Sequence, residues 1–176
     1  KGLRKTGGVR FFRKERNIVF GDCHVHMALD GEDFRRALGR HREQVQDDWI
    51  RARLRDYAKA GVGYLRDGGD KLGVARRAAQ LAPEYGVEYR TPCFPICRRG
   101  RYGAFIGRTY EDFDGYRALV DEAISGGADF IKLMVSGLMD FDHFGEITSQ
   151  PLDRGEIADL IACAHDHGLA VMAHAN

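Results

Sequence analysis

The stretch Gly21-Asp22-Cys23-His24-Val25-His26 sets two imidazoles two residues apart, directly after the apolar run Ile18-Val19-Phe20. Along a strand, successive side chains alternate faces, so His24 and His26 project from one face, where two neutral rings can grip a single metal ion. The same spacing suits two strand-end histidines that meet only water or backbone, and the pair alone leaves both readings open. Two further groups lie in or near the C-terminal parts of apolar runs: Lys132 in Ile131-Lys132-Leu133-Met134 and His174 in Val171-Met172-Ala173-His174. Taken singly, Lys132 reads as a surface or salt-bridged lysine and His174 as a polar cap on a strand. Alternation permits an inward His174 without requiring it. Cys23 is expected on the face opposite the two histidines, as a small packing residue.

The remaining histidines carry weaker signals. His165-Asp166-His167 repeats the spacing inside a helical pattern, where residues two apart diverge, so this pair is assigned to helix surface or packing. His143 lies in a polar loop, where it either faces a substrate or is an ordinary loop residue, and His41, among Arg40, Arg42 and Glu43, is expected in solvent. The segment from Arg98 to Thr109 sets Arg98, Arg99, Arg101, Tyr102 and Phe105 among glycines. It is a candidate lid or carboxylate-binding loop, with Arg99 and Tyr102 as substrate-binding candidates; a mobile exposed loop with no ligand fits equally well. Four cysteines do not make a disulfide framework in a chain of 176 residues, and Cys93 and Cys97 bracket three residues rather than two, so all four are read as reduced.

The elements that must position these groups alternate between strand and helix. After a first strand, Val45 to Ala60 places Ile50, Leu54, Tyr57 and Ala58 at helical spacing before Gly61. A strand is predicted over Val62 to Arg66, an alanine-rich helix over Leu72 to Leu81, and a third strand over Val87 to Thr91. Thr109 with Asp112 opens a helix striped by Phe113, Tyr116, Val120 and Ala123 and closed by Gly126-Gly127, followed by a strand from Ala128 to Val135. Asp153 and Glu156 resemble a capping box ahead of Ile157, Leu160, Ile161 and Ala164; Gly168 ends that helix and Leu169 to His174 is a fifth strand. Such alternation implies a parallel sheet covered by helices, either a closed barrel or an open doubly wound sheet. The candidate groups gather at the C-terminal parts of strands one, four and five, as in a barrel, and Gly68-Gly69 lacks the Gly-x-Gly-x-x-Gly pattern of a nucleotide-binding open sheet.

Composition bounds the partners. A net charge of +1 argues against nucleic acid, although the first seventeen residues carry seven Lys or Arg. No apolar run approaches the roughly 20 residues of a membrane span and the start lacks the apolar core of a signal peptide, so a cytoplasmic protein without a membrane partner is the default.

Four blocks in order resemble the amidohydrolase superfamily of metal-dependent barrel hydrolases: His24-Val25-His26; Ala60-Gly61-Val62 leading to Arg66-Asp67-Gly68-Gly69; Ile131-Lys132-Leu133-Met134; and Ala164-His165 leading to Ala173-His174-Ala175. The similarity is nearest to the imidazolonepropionase-like and Xaa-Pro dipeptidase-like subgroup. It implies a (β/α)8 TIM barrel in which His24, His26, Lys132 and His174 are metal ligands. Lys132 would bridge two divalent ions, most simply zinc, as a carbamate: a lysine amine held neutral can take up carbon dioxide and present two anionic oxygens. The implied reaction is hydrolysis of an amide-type carbon–nitrogen bond in a small molecule, a dipeptide, N-acyl amino acid or cyclic amide, by metal-activated water.

The resemblance also implies a strand-six histidine and a strand-eight aspartate that serves as general base, neither of which lies in this sequence. A full barrel takes about 250 residues. The expectation is therefore a partial barrel over residues 18–176 with strands six to eight missing, preceded by a segment 1–17 that could be the remnant of a small β domain. An isolated fragment of this kind is expected to be inactive and to associate with itself. Two alternatives stand beside it: a non-catalytic, metal-binding half-barrel that forms homo-oligomers, and an open-sheet α/β binding module.

Overall fold

The computed structural model describes residues 20–138, 140 and 142–175; segment 1–17, Ile18, Val19 and Asn176 lie outside them. Strand β1 (Phe20–Val25) is followed by helices α1 (Phe34–Arg40) and α2 (Asp47–Lys59), then β2 (Val62–Asp67) and α3 (Val74–Leu81), which runs into a 3-10 turn at Ala82–Tyr85. Next come the short strands β3 (Glu88–Arg90), β4 (Pro95–Arg98) and β5 (Arg108–Tyr110), helix α4 (Phe113–Ser125), β6 (Ile131–Met134), α5 (Arg154–Asp166) and β7 (Val171–His174). The strands form two sheets, β1-β2-β3 and β5-β4-β6-β7, and every pairing is parallel. The break between them is bridged by backbone: the Asp70 N–H donates to Cys93 O at 3.1 Å and the Asp129 N–H to Thr91 O at 2.8 Å.

Helices cover one face of each sheet, and the core forms where they meet. Val25, Leu65 and Tyr89 pack with Ile50 and Leu54 of α2 and Val74 and Ala78 of α3. Ile96, Ile131 and Leu133 pack with Tyr116 and Val120 of α4 and Leu160 and Ala164 of α5. Each such buried aliphatic side chain contributes about 1.5–3 kcal/mol, which fixes strand register: a one-residue slip would turn Leu133 outward and Lys132 into the helix layer.

The long periodic helices lie close to their predicted spans, and both acidic caps form. Asp112 accepts from the Gly115 N–H and Asp153 from the Glu156 N–H, each at 2.8 Å. The Glu156 carboxylate does not complete a capping box; it takes Arg98 and the Tyr110 hydroxyl instead. Thr109 sits in β5 rather than at a helix start, and Phe113 is exposed. Helix α1, capped by Asp33, and strands β4 and β5 were not expected. Only Ala37 of α1 is buried, so its sequence carries no apolar stripe. Strand β4 opens on Pro95, a residue acceptable at a strand's first position.

Two residues correct the sequence reading. Cys23 is exposed, not packed, because a bulge between Asp22 and Val25 lifts this part of β1. His41 is buried, its Nδ1 accepting the Gln46 N–H at 3.1 Å, so Arg42 and Glu43 face outward and the imidazole does not. The four cysteines are free. Among the described residues, no helix is long and apolar enough to cross a membrane.

Candidate metal centre

Because Val25 belongs to the helix-side core, His24 and His26 on either side of it take the other face of the sheet. Their ring centroids lie 5.4 Å apart. On β6, Ile131 and Leu133 go to the helices, and Lys132 takes the same open face as the histidines. Its side chain is 1% exposed, and Nζ lies 3.4 Å from Nε2 of His24. These two residues are 108 positions apart in sequence.

Burial, with the Arg66 guanidinium nearby, pulls the Lys132 ammonium down to about 8. Lost solvation and then Lys132 lower the pKa of His24, and the same two influences lower that of His26 although a bond to Gly69 opposes them. His174 is lowered by lost solvation first, then by Lys132 and the other two rings. The cluster therefore favours neutral imidazoles and an amine with an accessible neutral form, the protonation states that can donate lone pairs.

The residues after β2 set the orientation of His26. Its Nδ1 faces the Gly69 carbonyl oxygen at 3.1 Å, and as the donor it leaves Nε2 with a free lone pair. A Cβ on Gly68 would lie 2.4 Å from Cε1 of His26, so only glycine lets the ring occupy this position. Gly69 adopts φ +82°, with Phe94 backbone closing the space where a side chain would go. Asp67, buried, accepts from the Met27 N–H at 2.8 Å, the Gly69 N–H at 2.5 Å and the Tyr89 hydroxyl, tying the segment after His26 to this turn. Asp70, also buried, accepts the N–H groups of Leu72, Val74 and Ala75 and so starts α3. Burial and the neighbouring Asp67 charge push its pKa up to about 6. Neither carboxylate was picked out individually in sequence; the signal was two aspartates flanking a glycine pair at a strand end.

His174 ends β7, and its ring stacks on Tyr102 with centroids 4.9 Å apart and planes 22° from parallel. Its Nε2 is buried and has no hydrogen-bond partner. Stacking covers the ring face but leaves the in-plane lone pair open, so this orphaned nitrogen fits a metal ligand. The three histidines do not bring their ligand atoms within 4.8 Å of one another; among the described residues, that spacing is met by Asp140, His143 and Glu146 in the loop after β6.

The substrate-binding candidates separate. Tyr102 joins the cluster through His174. Arg99 is exposed and ion-paired with Glu111. His143 lies 2.9 Å from the Asp140 carboxylate through Nδ1 and belongs to the exposed acidic loop. His165 is exposed, and His167 contacts the Cys163 carbonyl of its own helix at 2.8 Å, as expected for helix-surface residues.

No protein-family model and no curated protein sequence matches the chain. Solved structures do match it. The crystal structure of an uncharacterized protein is 25% identical over 89% of this chain, with a TM-score of 0.65. A prolidase complexed with N-methylphosphonate-L-proline is 23% identical over 89% of the chain with a TM-score of 0.62, and a Xaa-Pro dipeptidase with bound methionine is 19% identical over 88% with a TM-score of 0.59. The chain spans 42% of the length of each of these structures.

Proposed function

We propose that this chain, which has the amidohydrolase fold over the part it spans by both its motif blocks and its structural likeness, belongs to a metal-dependent hydrolase of amide-type carbon–nitrogen bonds. The observation that carries the reading is the meeting of Lys132 with His24. Strands β1 and β6 lie in different sheets and share no pairing. A 3.4 Å contact between their side chains supports a wall curved like part of a barrel, with the histidines on its concave face. That curvature also disfavours the open-sheet binding module.

In this reading, His24, His26 and His174 would hold divalent ions, and Lys132, as a carbamate, would supply them with anionic oxygen ligands; imidazole ligands favour zinc. When bound, such ions polarise a substrate carbonyl and make water acidic enough to ionise near neutral pH. The chain's own residues prepare the site. Gly69 fixes the His26 tautomer, Gly68 leaves room for its ring, Tyr102 holds the His174 ring in place, and the buried pocket around Lys132 keeps its amine available in the neutral form. The substrate is a small amide, with prolidase-type dipeptides the first class to test.

The test is hydrolysis of a panel of Xaa-Pro dipeptides and N-acyl amino acids by the zinc-loaded full-length protein, before and after chelation. Turnover that disappears with chelator and returns with zinc is expected; turnover indifferent to chelator would overturn the reading. A second reading, a self-associating metal-binding half-barrel, is favoured by the outer edges of β1 and β7, with which no described strand pairs. It predicts a discrete dimer with bound metal and no hydrolysis.

A further inference from the structure

Three aromatic rings lead away from His174 along the rim of the site. Tyr102 stacks on His174 at 4.9 Å, Phe105 meets Tyr102 edge-on at 5.7 Å, and Phe34 at the start of α1 meets Phe105 edge-on at 5.3 Å. Phe34 is 45% exposed and Phe105 36%, so two large apolar rings show solvent a face immediately beside a cluster of metal-ligating side chains. Elsewhere in a soluble protein a single exposed phenylalanine needs no explanation. A continuous row ending at such a cluster does.

The row is held, not loose. Lys71 clamps the loop with two bonds, its backbone N–H to Ile106 O at 2.8 Å and its ammonium to Ala104 O at 2.6 Å. Ile106 is buried, and Gly103 closes a tight turn by accepting the N–H groups of Ile106 and Gly107. Gly103, at φ +113°, packs so closely that a Cβ there would lie 2.8 Å from Met134, a neighbour of Lys132 on β6. The loop that carries Tyr102 and Phe105 is therefore keyed to the strand that carries Lys132, and the rings are positioned before any ligand arrives. Sequence alone allowed this segment to be a mobile loop or a carboxylate binder; its arginine at position 99 turns to Glu111, and its Tyr102 ring lies against His174.

Resting on the hydrolase reading for the identity of the reacting group, we infer that Phe105 and Phe34 form an aromatic subsite that receives a flat or bulky apolar side chain flanking the scissile amide. A ring entering there continues the edge-to-face series begun at Tyr102 and removes both phenylalanine faces from water, whereas a methyl group reaches neither. The protein should thus select amides of aromatic amino acids over those of alanine, and Phe105 and Phe34 are its specificity-determining residues.

Two readouts on the full-length protein test this, the first with zinc loaded and the second with zinc removed. The first is the ratio of kcat/KM for N-acetyl-L-phenylalanine over N-acetyl-L-alanine, and the second is the ratio of their dissociation constants by calorimetry on enzyme held with a chelator, where no turnover occurs. Both ratios should favour phenylalanine and fall about tenfold in Phe105→Ala. Phe105→Leu should fall less, and Phe34→Ala should fall in the same direction. Circular dichroism confirms that each variant is folded. A binding preference that collapses in Phe105→Ala while the wild type hydrolyses neither compound would sustain the subsite and sink the hydrolase reading. Hydrolysis with ratios unchanged across folded variants would do the reverse and overturn the subsite.

Discussion

Lys132 is the residue on which opposing forces are most visible. An amine 1% exposed pays for burial in its charged form, and its pKa falls to about 8. In the unfolded chain it returns to about 10.4. Between these values the unfolded state holds a proton that the folded state has shed, so stability rises with pH through that window and the full penalty applies below about pH 8. Lys132→Met should therefore make the metal-free protein more stable to urea at pH 7, by about 2–3 kcal/mol, with the gain shrinking toward pH 10. The same variant should lose zinc binding. A variant that is less stable at pH 7, or that retains full zinc stoichiometry, would speak against a buried amine kept for a ligand. The His24–His26 pair stood out in sequence by its spacing, whereas Lys132, taken singly a surface lysine, owed its role to the family resemblance, which also set it in one metal site with the histidines. Residue pattern alone joins nothing across 108 positions. His41 misled for the converse reason: its charged neighbours implied solvent, while a single backbone bond to Gln46 turns the ring inward.

At the scale of elements, the turn after β2 does what a ligand residue cannot do for itself. His26 is aimed by the Gly69 carbonyl and given room by Gly68, while Asp67 and Asp70 spend their hydrogen bonds holding that turn and the start of α3. A methyl group at Gly68 meets only the far end of the His26 ring, so the ring rather than the backbone should give way. Gly68→Ala is expected to keep its fold by circular dichroism while zinc affinity drops about 10–100-fold in a competition titration, the size seen when a supporting shell is disturbed. Unchanged affinity would remove His26 from the ligand set. Helices α2, α4 and α5 were legible because each has several turns of apolar periodicity with a recognisable start or stop. Helix α1 and strands β4 and β5 are three to seven residues long, too short for periodicity to register, and tertiary pairing rather than local pattern creates them. The bulge in β1 is equally invisible in sequence, yet it accounts for the exposed Cys23.

For the whole molecule, the two sheets have edge strands β1, β3, β5 and β7, and no described strand pairs with the outer edge of β1 or β7. Phe20 at the start of β1 is 61% exposed. Unpaired parallel edges with apolar side chains invite pairing with another chain. The 176-residue chain prepared alone should sediment as concentration-dependent associated species rather than as a stable monomer; a monomer at all concentrations up to the millimolar range would contradict this. The chain spans 42% of its structural relatives, and the proposed ligands His24, His26, Lys132 and His174 come from β1 and its end, β6 and β7. Anomalous diffraction at the zinc edge from crystals of the zinc-loaded full-length protein tests the central claim most directly. The expected result is density for two ions among His24, His26, Lys132 and His174, with extra density on Nζ of Lys132; zinc found only at Asp140, His143 and Glu146, or none near Lys132, would contradict it.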